Sequence, residues 1–270
     1  MQNYINMPKI AITFPIYINN EDHFYFTKKT LDSIKTKHDY EVYVVENYVN
    51  KEFRDKVDTL YSDDRISSFI NPTGNNVSAA WNLGIETAFS RSIDIVLVPN
   101  NDIIFHPECI DNLVEFTNNE EFVMWTALEH GNLRGLLSAD VGTSYDNHPG
   151  FSLFAVTRSG INKLKEMEKN TFEPLPGMFD PGYDKAYFED QDFHQRILRA
   201  GFDAGKTSSA RYYHFGSRTI KVDESLNNEN FITYEKNRRY FEHKWGYDSH
   251  GKAPNNKERV EWGYKTAFNK

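Results

Sequence analysis

The chain has 270 residues, of which 39% are hydrophobic and 26% charged, enough for one large globular α/β domain or two small ones. Its formal net charge of −8 argues against binding nucleic acid mainly through phosphate contacts and offers nothing to an acidic membrane surface. The single cysteine, Cys109, excludes an intramolecular disulfide and suits a reducing cytoplasm, and no run reaches the ~18 apolar residues that span a bilayer.

In chain order, residues 10–14 form an apolar run closed by Pro15 and predict a buried first strand. A helix follows at 27–37, with Leu31 and Ile34 on one face, and then a strand at 41–45. Residues 52–61 place Phe53, Val57 and Leu60 at helical spacing, ahead of a third strand at 66–70. A helix at 78–90, with small residues Ala79, Ala80 and Ala88, leads to the most hydrophobic strand, 93–98. This alternation implies right-handed βαβ units and a mostly parallel sheet, whose ligands collect at the carboxyl ends of the strands. That rule marks 15–19, 46–47, 71–76 and 100–102 as the ligand side.

The second half changes character. Residues 108–117 read as helix, 122–127 as extended, 129–149 as a long loop or hairpin, 151–157 as strand and 159–169 as helix. The stretch 171–183 is rich in proline and glycine and makes an irregular approach to an acidic, amphipathic helix opening at Glu189. The tail 230–245 is a Tyr/Phe-rich helix, and 246–270 is polar. No internal repeat or linker interrupts the chain, which reads as one compact unit with a lobe at 1–105, a lobe at 106–227 and a helical tail at 228–270.

Two acidic positions carry chemistry. Asp102 ends the run Asn100-Asn101-Asp102 directly after a buried-looking strand, which holds a carboxylate rigidly over the ligand crevice. Mg²⁺ and Mn²⁺ take such oxygen ligands together with substrate phosphates, although an Asn/Asp turn after a strand fits the same residues. Glu189, Asp190 and Asp192 crowd three carboxylates into the first turn of a helix, where they complement the helix dipole or act on a ligand. A histidine, His214, follows among aromatics.

In this order and spacing, these segments resemble the nucleotide-sugar glycosyltransferases of the GT-A fold, particularly family 2 and its rhamnosyltransferase-like relatives, over roughly residues 9–246. The resemblance implies an α/β, Rossmann-like, mostly parallel central sheet flanked by helices, with an antiparallel segment on the acceptor side. It implies Mn²⁺ or Mg²⁺ held by Asp102 and His214, although Asn100 stands where the family's Asp-x-Asp motif opens with an acid. It implies a nucleoside-diphosphate sugar, most often a UDP-sugar, bound by Pro15, Tyr17, Glu46, Asn76, Asn82 and Asn101; Glu46 stands where the family has aspartate, and Asn76 where it has glycine. It implies Asp190 as general base in an inverting transfer to a hydroxyl, with Glu189 and Asp192 as acceptor-positioning or helix-capping groups and Asp192 as the fallback base. Gly150, Phe151 and Trp125, with His130 beside them, fall on the acceptor side, and the ending Lys244-Trp245-Gly246 reads as packing.

Three rivals remain at this stage. A sugar nucleotidyltransferase needs a glycine-rich opening loop, and residues 10–25 hold no glycine. A non-catalytic carbohydrate-binding protein would keep the fold without the chemistry. The abundance of Asn, Lys, Tyr and Phe is typical of AT-rich genomes such as those of many bacteriophages, so a modified base in DNA is an alternative acceptor, with Arg134, Lys185, Lys206, Arg211 and Arg218 as a basic rim.

Overall fold

The computed structural model describes residues 8–118, 122–138, 149–168, 177–216 and 224–246. One eight-stranded sheet organises them, in the order β3-β2-β1-β4-β7-β6-β8-β5. The strands are β1 Ile10–Ile18, β2 Tyr40–Val49, β3 Ile66–Ile70, β4 Ile95–Pro99, β5 Ile103–Phe105, β6 Phe122–His130, β7 Leu153–Thr157 and β8 Asp203–His214. The first four run parallel, β7 is antiparallel to both β4 and β6, β6 pairs parallel with β8, and β5 pairs antiparallel with β8. The expected mostly parallel sheet with an antiparallel second half is thus what the chain forms.

Period-two alternation builds a layer of helices on each face. Ile10, Ile12 and Phe14 of β1, Val42 and Val44 of β2, and Ile95 and Leu97 of β4 point to one core. That core is closed by α2 (Arg54–Leu60) through Val57 and by α4 (Cys109–Phe116) through Cys109, Ile110, Leu113 and Val114. The intervening Ala11, Tyr43, Val96 and Val98 point to the opposite core, closed by α3 (Val77–Ser90), α6 (Arg158–Glu168) and α7 (Glu189–Arg199). Each such buried aliphatic side chain contributes about 1.5–3 kcal/mol relative to exposure. A third, smaller core joins Phe241 and Trp245 of α8 (Glu224–Trp245) to Tyr183 and Phe188.

Several boundaries depart from the sequence reading. β1 does not stop at Pro15 but continues to Ile18, with a register shift between Ile16 and Tyr17. The pairing of β1 with β4 covers only Ile10–Ile12, so Pro15 lies where one flank of the strand carries no ladder and its missing N–H is harmless. Helix α1 (Glu21–Asp32) starts six residues earlier than expected, because Asn20 caps it by accepting from the backbone N–H of His23, and Glu21 and Asp22 fill its first turn. Three elements were not foreseen. β5 is only three residues long, α5 (Leu133–Ser138) interrupts the expected loop, and β8 has too many Gly, Thr and Ser to read as a strand. The rest of the expected loop at 139–148, the proline-rich 171–176 and the polar tail 247–270 lie outside the described residues.

Candidate active site

The carboxyl ends of β1, β2 and β4 open onto a cleft of about 410 Å³. Pro15, Ile16 and Tyr17 come from β1, Asn47 from β2, and Asn100, Asn101 and Asp102 from the turn after β4. Asn75, Val77 and Trp81 line it from the start of α3, Phe151 and Ser152 from the turn before β7, and His214 from the end of β8. The facing wall is the continuous run Lys185–Gln191, with Asn230 and Tyr234 of α8 behind it.

Asp102 and His214 meet at one end. Asp102 is 4% exposed, and its Oδ1 lies 3.0 Å from His214 Nε2. The other ring nitrogen, Nδ1, faces Glu129 Oε2 at 3.4 Å. Burial works against charge on the imidazole, but Asp102 and Glu129 outweigh it and hold its pKa above the usual histidine value. The donor chemistry, one buried carboxylate and one imidazole whose second nitrogen faces another carboxylate, suits a divalent transition metal. Among the described residues no three His, Cys, Asp or Glu side chains gather as a metal cage, so a cation here would complete its shell with substrate oxygens and water.

The acidic helix contributes the opposite wall. Glu189 is 5% exposed, its Oε2 has no hydrogen-bond partner, and burial, then Asp190 and Asp192, push its pKa well above the ordinary carboxylate range. Asp190 is half-buried and lines the cleft, and burial raises its pKa also, against the backbone N–H of Gln191 that its Oδ1 accepts at 2.8 Å. Asp192 does not reach the cleft. It is fully buried, and its Oδ1 takes Lys244 Nζ at 2.7 Å, Trp245 Nε1 at 2.8 Å and Tyr183 Oη at 3.2 Å. The expected fallback base is therefore an anchor for the C-terminal helix, and Lys244-Trp245 is as much an ionic lock as hydrophobic packing.

The wall before α7 is strained. Lys185, Tyr187 and Phe188 all have left-handed backbones, with φ of 53°, 82° and 73°. Such conformations cost about 1–3 kcal/mol each and persist only where the surroundings impose them. Asn237 of α8 does so: its Nδ2 donates to the carbonyls of Asp184, Ala186 and Tyr187, and its Oδ1 accepts from Asp184 N–H. The Lys185 carbonyl also accepts from Val77 N–H at 2.7 Å.

Other expected ligands lie elsewhere. Glu46 turns to the opposite face from its neighbour Asn47, where Arg54 grips its carboxylate with two nitrogens and Tyr61 donates to it. Strand alternation thus puts Asn47, not Glu46, in the cleft. Asn76 caps α3 by accepting from Ala79 N–H and donates to the carbonyls of Pro181 and Tyr183. Asn82 exchanges two 2.8 Å bonds with the backbone of Phe179. Asn101 lines the cleft, although its amide already donates to Thr27. Trp125 is a core residue, 1% exposed, packed on Phe116 and Phe122 and over Gly205. Gly150 donates its N–H to Thr126 and does not line the cleft, whereas its neighbour Phe151 does. His130 bonds Asn132 away from the site. Of the basic-rim residues only Lys185 lines the cleft; Arg218 lies outside the described residues. Sequence reasoning also missed Trp81, Glu129 and the run 186–188, none of which carries a local signal beyond its distance from the acidic helix or the strand ends.

A parallel α/β half bearing a strand-end acid, joined to an antiparallel half bearing an acidic helix, defines the GT-A type of glycosyltransferase fold. Residues 17–135 match the model of glycosyl transferase family 2. The crystal structure of GalNAc-T7 with UDP, GalNAc and Mn²⁺ superposes with a TM-score of 0.59 at 14% identity, over 78% of this chain and 44% of that one. The chain therefore spans less than half the length of that protein. No curated protein matches it. The chain thus has a fold of the GT-A type, and its residues 17–135 resemble glycosyl transferase family 2.

Proposed function

We propose that the chain transfers a sugar from a nucleoside-diphosphate donor to an acceptor hydroxyl, with inversion, at the cleft between the strand ends and α7. The observation that carries this reading is that one cleft gathers the Asp102–His214 pair and the Glu189–Asp190 pair on facing walls. GalNAc-T7, of the same fold, was crystallised with UDP, GalNAc and Mn²⁺, which makes a UDP-sugar and Mn²⁺ the first choices here.

Asp102 and His214 would hold the cation, which supplies charge to offset the departing diphosphate. Pro15, Tyr17 and Asn47 would take the nucleoside; the Tyr17 ring lies 5.0 Å from that of Tyr48, so an aromatic pair already stands at this end of the cleft. The acceptor enters along Phe151 and α7. Asp190 accepts the proton of its hydroxyl as that oxygen bonds to the anomeric carbon, and the bond to the diphosphate oxygen breaks with its electron pair leaving on the nucleotide. The raised pKa of Asp190 makes it a stronger base than a free aspartate while it is ionised. Glu189, pushed further up, keeps its proton and spares the site a second adjacent charge.

The test is nucleotide release from UDP-, GDP-, dTDP- and CMP-sugars with Mn²⁺, repeated with a chelator. Slow release from one donor, abolished by chelation, supports the reading. Absence of release from every donor, with no donor-induced thermal shift, would leave a carbohydrate-binding protein on a transferase fold.

A further inference from the structure

We infer that Lys185 is a diphosphate-binding residue that the protein stores on Glu229 until the nucleotide arrives; this rests on the nucleotide-sugar reading of the cleft. Among the described residues lining the cleft, Asp102, Glu189 and Asp190 are acidic and Lys185 is the single lysine or arginine. A diphosphate entering such a site needs positive charge beyond one divalent cation, and a flexible ammonium is a point charge that can follow it.

Two features fit Lys185 for that task. Its backbone is held in a left-handed conformation, φ 53°, by the bond from Val77 and by Asn237's grip on both flanking residues, so its stem leaves the wall from a fixed point. Its ammonium, by contrast, is lightly held. It pairs with Glu229 at 2.6 Å, but the Glu229 side chain is 60% exposed and Lys185 itself 29%. Pairs this open contribute little to stability and exchange partners at small cost. Glu229 and the cleft residue Asn230 are adjacent on α8, so the stored ammonium already sits at the cleft rim.

The experiment measures binding, with Mn²⁺ present, of whichever of UDP, GDP and dTDP wild type prefers, and of the matching nucleoside without phosphates. Lys185→Gln is expected to raise the Kd of the diphosphate about tenfold, the loss of one charge-assisted hydrogen bond, and to leave nucleoside binding unchanged. Lys185→Arg should restore most of the affinity. Glu229→Gln, which frees the ammonium, should bind the diphosphate as tightly as wild type or more so. Equal diphosphate affinity in wild type and Lys185→Gln would overturn the inference and leave the cleft assignment intact. A parallel loss for nucleoside and diphosphate would overturn it in favour of a merely structural wall. A wild type that binds none of the three diphosphates would overturn both the inference and the reading beneath it.

Discussion

His214 Nε2 stands 3.0 Å from Asp102 Oδ1 across 112 residues of chain, because β5 pairs Ile103 with His214 immediately beyond the β4 turn. The short strand β5 is thus the splint that aligns the two groups, and Glu129 sets the ring from behind. His214→Ala and Asp102→Asn should each abolish Mn²⁺-stimulated transfer and the Mn²⁺-dependent part of a nucleotide thermal shift. Glu129→Ala acts only through the ring and should cost about tenfold in Mn²⁺ affinity, the low end for a residue behind a metal-binding histidine. A Mn²⁺ titration of initial rates ranks the three. Equal losses in all of them would mean that Glu129 touches the cation or substrate directly.

Asp190→Asn removes the proposed base without changing its size. Transfer should fall by about 10²–10⁴-fold, the usual worth of a positioned general base, while donor affinity stays close to wild type. Asp192→Asn should behave differently, losing stability before activity, because its carboxylate serves Lys244, Tyr183 and Trp245 rather than the cleft. If Asp192→Asn folds normally and is inactive while Asp190→Asn transfers, the assignment of base and anchor is reversed.

Helix α3 approaches the sheet so closely that a Cβ on Gly84 would lie 1.9 Å from Thr13 Oγ1. Glycine here serves helix–sheet packing. Gly84→Ala should destabilise by about 1–3 kcal/mol, the range for overpacking a dense core, and Thr13→Ala in the same chain should return part of it. Chemical denaturation of the single and double variants measures the coupling.

What the sequence disclosed follows from how locally each feature is encoded. The parallel half was readable because apolar strands and small-residue helices announce themselves within ten residues, as at 95–99 and 77–90. The strand-end acid Asp102 and the cleft-facing pair Glu189–Asp190 were readable for the same reason: strand end and helix start fix where their side chains go. β8 was not, since its Gly205 and Thr207 are strand residues only by virtue of their pairing with the neighbouring β6. The Glu46 assignment failed by one position, a difference that alternation turns into opposite faces of the sheet. Asn237's hold on 184–187 spans fifty residues and leaves no local trace in either segment.

Lys244 is buried to 2% exposure between Asp180 and Asp192, at 2.6 and 2.7 Å, and ties the end of α8 to the approach and first turn of α7. Gly246, with φ of 74°, closes the helix just beyond it. Lys244→Met leaves two buried carboxylates facing each other without a cation and should cost about 3–5 kcal/mol. Burial alone would raise the pKa of Asp180, but Lys244 and its hydrogen bonds outweigh that and lower it. Asp180 therefore contributes stability that is present above its unfolded pKa and is lost as pH falls through its folded one. Wild type should lose this contribution on acidification below about pH 4, and Lys244→Met should show a flatter acid limb. Urea titrations across pH compare the two slopes.

Glu189 presents the opposite sign. Burial, with Asp190 and Asp192 nearby, raises its folded pKa well above the ordinary 4.5, so the folded chain holds a proton that the unfolded chain has released. Stability attributable to this group is present at low pH and falls as pH rises above its unfolded pKa, which makes the carboxyl a stability cost at neutral and alkaline pH. Glu189→Gln removes that cost while keeping shape and polarity. The variant should melt above wild type at about pH 8, with the gain shrinking on acidification and vanishing near pH 4. Because the neutral form is the one proposed to work beside Asp190, transfer should suffer far less than in Asp190→Asn. A thermal scan of both proteins across that pH range decides it: a Glu189→Gln variant that melts lower at every pH would show that the carboxylate is ionised and favourably held in the fold.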